Sequence, residues 1–198
     1  MRAAGVSLIE ALLALAVVSF GSLSAAALQL SVKRTHAGAT QRALAARLAG
    51  EMAETLRAAS SPARYVTATP LGRGSLGAEP QPDCSAGPCN EAQLAAHQRW
   101  QWEQALDGQA QRLGGRAVGG LVLPSACLER VADGEFRIVL AWREASAQPD
   151  RGAGPACGRD PQAGGGMIYS RSGNDNAYRR TLSLPLTVAT PRHAPGLD

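Results

Sequence analysis

The feature that most constrains this chain is a run without charge near its start. Residues 11–32, ALLALAVVSFGSLSAAALQLSV, contain no Asp, Glu, Lys, Arg or His. As a helix these 22 residues extend about 33 Å, enough to cross the hydrocarbon core of a bilayer. A secretory signal would end in a small-residue cleavage site followed by a polar mature start. Here the apolar run instead passes into Lys33-Arg34 and further helical pattern. The segment is therefore expected to stay on the protein as an anchor. Basic flanks do not orient it, because Arg2 and the terminal amine balance Lys33 and Arg34. The cysteines do. Cys84, Cys89, Cys127 and Cys157 all follow the span, so that side is expected to be oxidising, hence periplasmic or extracellular.

The helical pattern does not stop with the span. Leu44, Leu48, Met52 and Leu56 recur every fourth residue, with Ala45, Ala49 and Ala53 beside them. That is one apolar stripe. Arg47/Glu51 and Glu54/Arg57 have helical spacing on the polar side. Ser60-Ser61-Pro62 ends the pattern. One helix over residues 7–59 is expected, with Gly38 its only weak point. The membrane half is residues 6–32, and residues 33–60 lie against a folded head.

The head, residues 61–188, reads as α+β. Pro70, Pro80, Pro82 and Pro88 among glycines make residues 62–98 a loop region. A short helix over 90–106 is predicted, with Asn90 as its cap. Trp100 and Trp102 lie two apart and point different ways on it. Residues 121–131 and 136–142 read as strands around Ala132-Asp133-Gly134-Glu135, with Phe136, Ile138, Leu140 and Trp142 on one face. Residues 180–188 alternate again, with Leu182, Leu184, Leu186 and Val188 inward. Pro185 assigns that strand to an edge or turns its missing N–H to an unpaired side. Residues 144–176 read as loop and 189–198 as a loose tail.

Chemistry-bearing clusters are sparse. The three histidines, His36, His97 and His193, are widely separated. Cys84-x4-Cys89 with His97 nearby has tolerable zinc spacing. Cys127 and Cys157 do not begin a second knuckle, and an even cysteine count among Gly/Pro loops reads as two disulfides. The local pairing is Cys84–Cys89 with Cys127–Cys157. The net charge of +4 carries no clustered basic footprint, so no specific nucleic-acid partner is expected. No nucleophile–base pair, paired carboxylates or phosphate-binding loop stands out. The glycines at 114–120 and 164–166 read as turns. No enzyme activity, cofactor or metal is expected. The alternative is a tethered enzyme or binding module, whose head would work when freed from the helix.

Glu10 is the odd residue, a carboxylate at the edge of an apolar helix, where charge is costly. Gly5-Val6-Ser7-Leu8-Ile9-Glu10 followed by that helix resembles the signal of type IV pilins and of type II secretion pseudopilins. The resemblance implies a leader of residues 1–5, cut after Gly5 by an inner-membrane prepilin peptidase that also methylates the new N-terminus at Val6. It implies that Glu10, fifth in the mature chain, pairs with a neighbouring subunit's amine. It also implies the pilin fold: a long N-terminal helix on a small antiparallel sheet. Val6, where Phe or Met is commoner, and the absence of Pro before Pro62 resemble minor rather than major pilins. The run 42–57, Trp100 with Trp102, Leu113-Gly114-Gly115, Ala141-Trp142 and Tyr178-Arg179-Arg180 are similar to the PilV family of pilus modification proteins. Minor pseudopilins of the GspI kind share the N-terminus but are shorter and lack such cysteine pairs. The implied partners are other minor pilins, the major pilin and a large tip adhesin. The implied location is the inner membrane with the head periplasmic, then the pilus.

Overall fold

The computed structural model describes residues 7–147, 156–158 and 177–189. Its contacts divide at Thr40 into an N-terminal unit and a unit from Gln41 onward. One helix, α1 (Leu8–Ala58), enters both, running through Gly38 as helix. The elements that follow are α2 (Glu91–Leu106), β1 (Arg112–Leu113), β2 (Arg116–Ala117), β3 (Ser125–Ala132), β4 (Glu135–Arg143) and β5 (Arg179–Thr187). A 3-10 turn at Pro62–Tyr65 follows α1.

The C-terminal unit is built on the apolar stripe of α1. Ala45, Leu48, Ala49, Met52, Ala53 and Leu56 are all buried. They form one hydrophobic cluster with Leu71, Leu106, Ala126, Leu128, Phe136, Ile138, Leu140, Trp142, Leu186 and Val188. The alternation of β4 explains its share: Phe136, Ile138, Leu140 and Trp142 fall on one face. The other parity is buried too, since Val139 and Ala141 are wholly inaccessible. β4 is thus the central strand of a three-stranded antiparallel sheet, ordered β3-β4-β5.

Both edges of this sheet are managed. On the β3 side, Leu71 and Ala126 exchange backbone hydrogen bonds of 2.8 and 2.9 Å. Thr67 donates its N–H to Leu128 and accepts from it on its hydroxyl, both at 3.1 Å. On the other side β5 carries Pro185 opposite Arg137, the edge placement that a residue without an N–H allows. Leu182 and Leu184 pack partly buried against the core, and Leu186 and Val188 are buried. The turn between β3 and β4 is Asp133-Gly134, with Gly134 at φ 72° and a register shift between Arg130 and Ala132.

Two disulfides hold the loops. Cys84–Cys89 has a Cα–Cα distance of 5.5 Å and closes the loop before α2. Cys127–Cys157, at 5.7 Å, ties residue 157 to β3. Cys127 has the opposite parity to Ala126 and Leu128, so this link lies on the sheet face away from α1. α2 begins with a reciprocal cap: Asn90 accepts from the Gln93 N–H, and Gln93 accepts from the Asn90 N–H. Ser60 and Ser61, just past α1, donate to the two oxygens of Glu91 at 2.7 and 2.6 Å.

The fold differs from the sequence pattern in three places. The strand expected from residue 121 begins at Ser125, because Pro124 lacks an N–H and Leu123 adopts a φ of 49°. Val122 instead receives the Arg143 N–H at 2.8 Å. The β1–β2 hairpin, turned by Gly114 and Gly115 at φ 57° and 81°, stands where the sequence predicts only turns. The loop expected to reach residue 98 ends where α2 starts. The tail beyond 189 and most of the 144–176 loop lie outside the described residues.

Leu56 has no exposed surface. Leu56→Ala is expected to destabilise the chain by about 2–5 kcal/mol, while Glu54→Ala on the solvent side costs about 0.5 kcal/mol or less. Denaturant unfolding of the detergent-solubilised protein measures both.

Candidate functional site

Three arrangements have functional character, and each is built from residues that break a local rule. The first is the apolar part of α1. Leu8, Ile9, Leu12, Leu13, Leu15, Val17, Val18, Phe20, Leu23, Leu28, Leu30 and Val32 are all more than half exposed. They point to every side of the helix, so no single partner face accounts for them. A surface of that kind is covered by lipid or by other apolar helices. The helix is long and apolar enough to cross a membrane. Its hydroxyls are satisfied from within: Ser19, Ser22 and Ser24 donate to the carbonyls of Leu15, Val18 and Phe20 at 2.7–3.0 Å. This is how a hydroxyl is accommodated where no water is present.

Glu10 lies in the first turn of α1 and is exposed. A carboxylate is favoured there by the unpaired N–H groups of the helix start. Gly5 and Val6, the expected cut site, lie outside the described residues.

The second arrangement is a loop wrapped around two carboxylates. Glu103 on α2 is wholly buried. Its Oε1 accepts from the backbone N–H of Gly72 at 2.8 Å and of Ser75 at 2.7 Å, and from the Ser75 hydroxyl. Its Oε2 accepts from the Leu76 N–H at 2.8 Å. One turn on, Asp107 accepts from the N–H groups of Arg73 and Gly74 at 2.7 and 2.9 Å. Five consecutive N–H groups thus converge on two side chains, an anion-binding concavity filled by the protein itself. The curl requires positive φ at Gly72, Arg73 and Gly74. At Gly72 a Cβ would also come within 2.7 Å of the Pro124 carbonyl oxygen. Burial pushes the Glu103 carboxyl up, but the Ser75 hydroxyl and the N–H groups outweigh it and leave it below the ordinary carboxylate range.

A buried Glu144 plays a similar part at the end of β4. It accepts from Arg42 of α1 at 3.0 and 3.3 Å and from Arg180 of β5 at 3.1 Å. Sequence reasoning misses both glutamates. A signal for Glu103 exists: it stands three residues before Leu106 and eight after Ala95, on the buried face of α2.

The third arrangement is Glu79, Asp83 and His97, whose ligand atoms lie within 4.8 Å of one another. The zinc alternative in the sequence groups His97 with Cys84 and Cys89. The structure joins those cysteines to each other and sets His97 against two carboxylates. Asp83 Oδ1 accepts from the Ser85 hydroxyl at 2.6 Å and the Ser85 N–H at 2.8 Å, which hold its carboxyl below the usual range. Trp102 packs against the core and stacks at 5.5 Å on Tyr65, while Trp100 donates its indole N–H to Gly77.

Comparison with protein-family models, with curated proteins and with solved structures gives no match.

Because the folded-state carboxyl of Glu103 is lowered, its stabilisation is complete above the unfolded value of about 4.3 and is lost as pH falls through the folded value. Glu103→Gln is expected to cost about 1–3 kcal/mol at pH 7. It should also flatten the loss of stability in acid. Thermal unfolding from pH 7 to pH 3 tests both.

Proposed function

We propose that this chain is a minor pilin of a bacterial type IV pilus, helping to start assembly and standing at or near the tip. The observation that carries the proposal is a coincidence on one helix. A Gly5-Val6 junction, a glutamate four residues beyond Val6 and an uninterrupted apolar segment occur together. The exposure of that segment on all sides supports the reading, since such a helix has to exchange lipid for other helices. So does a C-terminal unit made of a helix on a small antiparallel sheet with two disulfides. Within the minor pilins, the scattered correspondences after residue 42 favour the PilV group.

On this reading the chain first spans the inner membrane once, with the C-terminal unit in the periplasm, where the disulfides form. The prepilin peptidase cuts after Gly5, whose lack of a side chain lets the scissile carbonyl come close to the peptidase, and methylates Val6. In the bilayer Glu10 lies near the headgroups and keeps access to water. On entry into a filament it moves among apolar helices, where an unpaired carboxylate is strongly disfavoured. The amine of a neighbouring subunit supplies the missing charge, and their attraction in a low dielectric fixes the axial register. Further contacts along α1 join the chain to other minor pilins and the major pilin, with a large tip adhesin as a further partner. The pseudopilin reading shares the N-terminal signal. Deleting the chain separates the two: loss of pili with normal protein export supports the pilin, and the reverse supports the pseudopilin.

Mass spectrometry of membrane-extracted protein is expected to show a methylated N-terminus at Val6, and Gly5→Glu to leave the leader uncut. Another mature N-terminus overturns the assignment. With Glu10→Val or Glu10→Gln as the only copy, processing is expected to be normal and pili few or absent. Normal piliation removes Glu10 from the mechanism.

A further inference from the structure

His97 is a buried polar side chain whose surroundings the fold does not otherwise explain. It sits on α2 with its side chain 4% exposed. One ring nitrogen, Nε2, lies 2.9 Å from the side-chain amide of Gln101, one turn along the helix. The other, Nδ1, is buried and has no hydrogen-bond partner among the described residues. A buried, unpartnered ring nitrogen costs free energy comparable to a lost hydrogen bond. Its nearest charged group is Glu79 Oε1 at 3.6 Å, beyond hydrogen-bond range. The Asp83 carboxylate completes a triangle, all three ligand atoms lying within 4.8 Å of one another.

We propose that Glu79, Asp83 and His97 form a binding site for a divalent transition-metal cation of the zinc type. A tetrahedral zinc with bonds of about 2.0–2.2 Å holds its ligand atoms roughly 3.3–3.6 Å apart. The Glu79–His97 spacing is already near that value, and Glu79, with a side chain 37% exposed, is free to adjust. One imidazole and two carboxylates suit zinc. Calcium and magnesium take oxygen-only sets, and a thiolate set is ruled out by the Cys84–Cys89 disulfide.

The surroundings prepare the site. A 180° turn of the Gln101 amide, which leaves its shape unchanged, puts Oε1 against the ring. Nε2–H then donates to Oε1, and Nδ1 presents its lone pair to the carboxylates. A ligating histidine is commonly oriented through its second nitrogen in this way. Ser85 holds Asp83 through two hydrogen bonds to Oδ1. The disulfide begins at the next residue, and Pro80 and Pro82 stiffen the approach. The ligands thus come from a loop pinned at Cys84–Cys89 and from the helix that follows it. Bound metal would staple that loop to α2. Three protein ligands leave a coordination position for water.

The experiment uses the full chain in detergent, stripped with a chelator and titrated with Zn2+ in excess Ca2+ and Mg2+. Bound metal is counted by mass spectrometry and affinity is measured by calorimetry. Trp100 emission serves as a local reporter, because its ring lies 6.1 Å from His97. One zinc per chain is expected, with a change in that emission. Glu79→Gln, Asp83→Asn and His97→Gln are each expected to weaken binding by at least about tenfold, and His36→Gln to leave it unchanged. His97→Gln removes a buried group and can disturb folding. Glu79→Gln and Asp83→Asn keep shape in exposed or half-buried positions, so these two variants decide the outcome. Stoichiometric binding unaffected by them overturns the site, as does the absence of zinc uptake by the unmodified chain.

Discussion

The C-terminal unit depends on burying the apolar stripe of one helix together with the apolar face of one sheet. α1 presents Ala45, Ala49 and Ala53 beside Leu48, Met52 and Leu56, and every one of them is buried. The alanines keep that face of the helix narrow, while the larger residues join Phe136, Ile138, Leu140 and Trp142 of β4 in one hydrophobic cluster. Without that stripe the inner face of β4 would be exposed, and a three-stranded sheet has too little surface of its own to hide it. The flanking devices refine this contact. Glu144 links Arg42 on the helix to Arg180 on β5, and Gln41 accepts from the Val122 N–H at 2.9 Å, so the same helix also positions the loop before β3.

The N-terminal unit obeys the opposite rule. Its apolar side chains stand exposed among the described residues, and its stability as a helix comes from backbone hydrogen bonds that an apolar medium strengthens. One helix therefore carries two different surface patterns. Up to Val32 its sequence is apolar on all sides; from Leu44 it is amphipathic. Glu10 stands apart from both patterns. A single ionisable group on an apolar helix changes its energetic standing whenever the surrounding medium changes, which is what the proposed passage from bilayer to filament would require.

Carboxylates recur through the C-terminal unit as organisers of irregular chain. Glu103 and Asp107 fix residues 72–76 by backbone N–H groups, and the more exposed Glu91 gathers Ser60 and Ser61 at the junction after α1. In a chain with 22 glycines and 12 prolines, much of the backbone cannot satisfy itself in ladders. Short acidic side chains at the ends of α2 supply acceptors where strands do not. The Glu79, Asp83 and His97 cluster is different: Ser85 donates to Asp83, but the Nδ1 of His97 meets the two carboxylates without a hydrogen bond.

The long helix, its stripe, the cap at Asn90, the alternation of β4 and the edge position of Pro185 are all legible in the sequence. Each is a local or periodic property, set by residues within a few positions of one another. The resemblance that suggests function is local too, resting mainly on residues 5–10 and the helix after them. What the sequence does not disclose depends on residues far apart along the chain. Nothing near Glu103 indicates that residues 72–76 will curl around it, because the donors lie about thirty positions away and are anonymous backbone groups. His97 stands out in the sequence, but spacing alone groups it with the nearest cysteines. Tertiary structure assigns it other neighbours, because the cysteines pair with each other and the segment just before them brings Glu79 and Asp83 to the helix. Local pattern determined which elements form. Which polar groups meet between them was decided only by tertiary burial, which favours partners for buried charges such as Glu103 and Glu144.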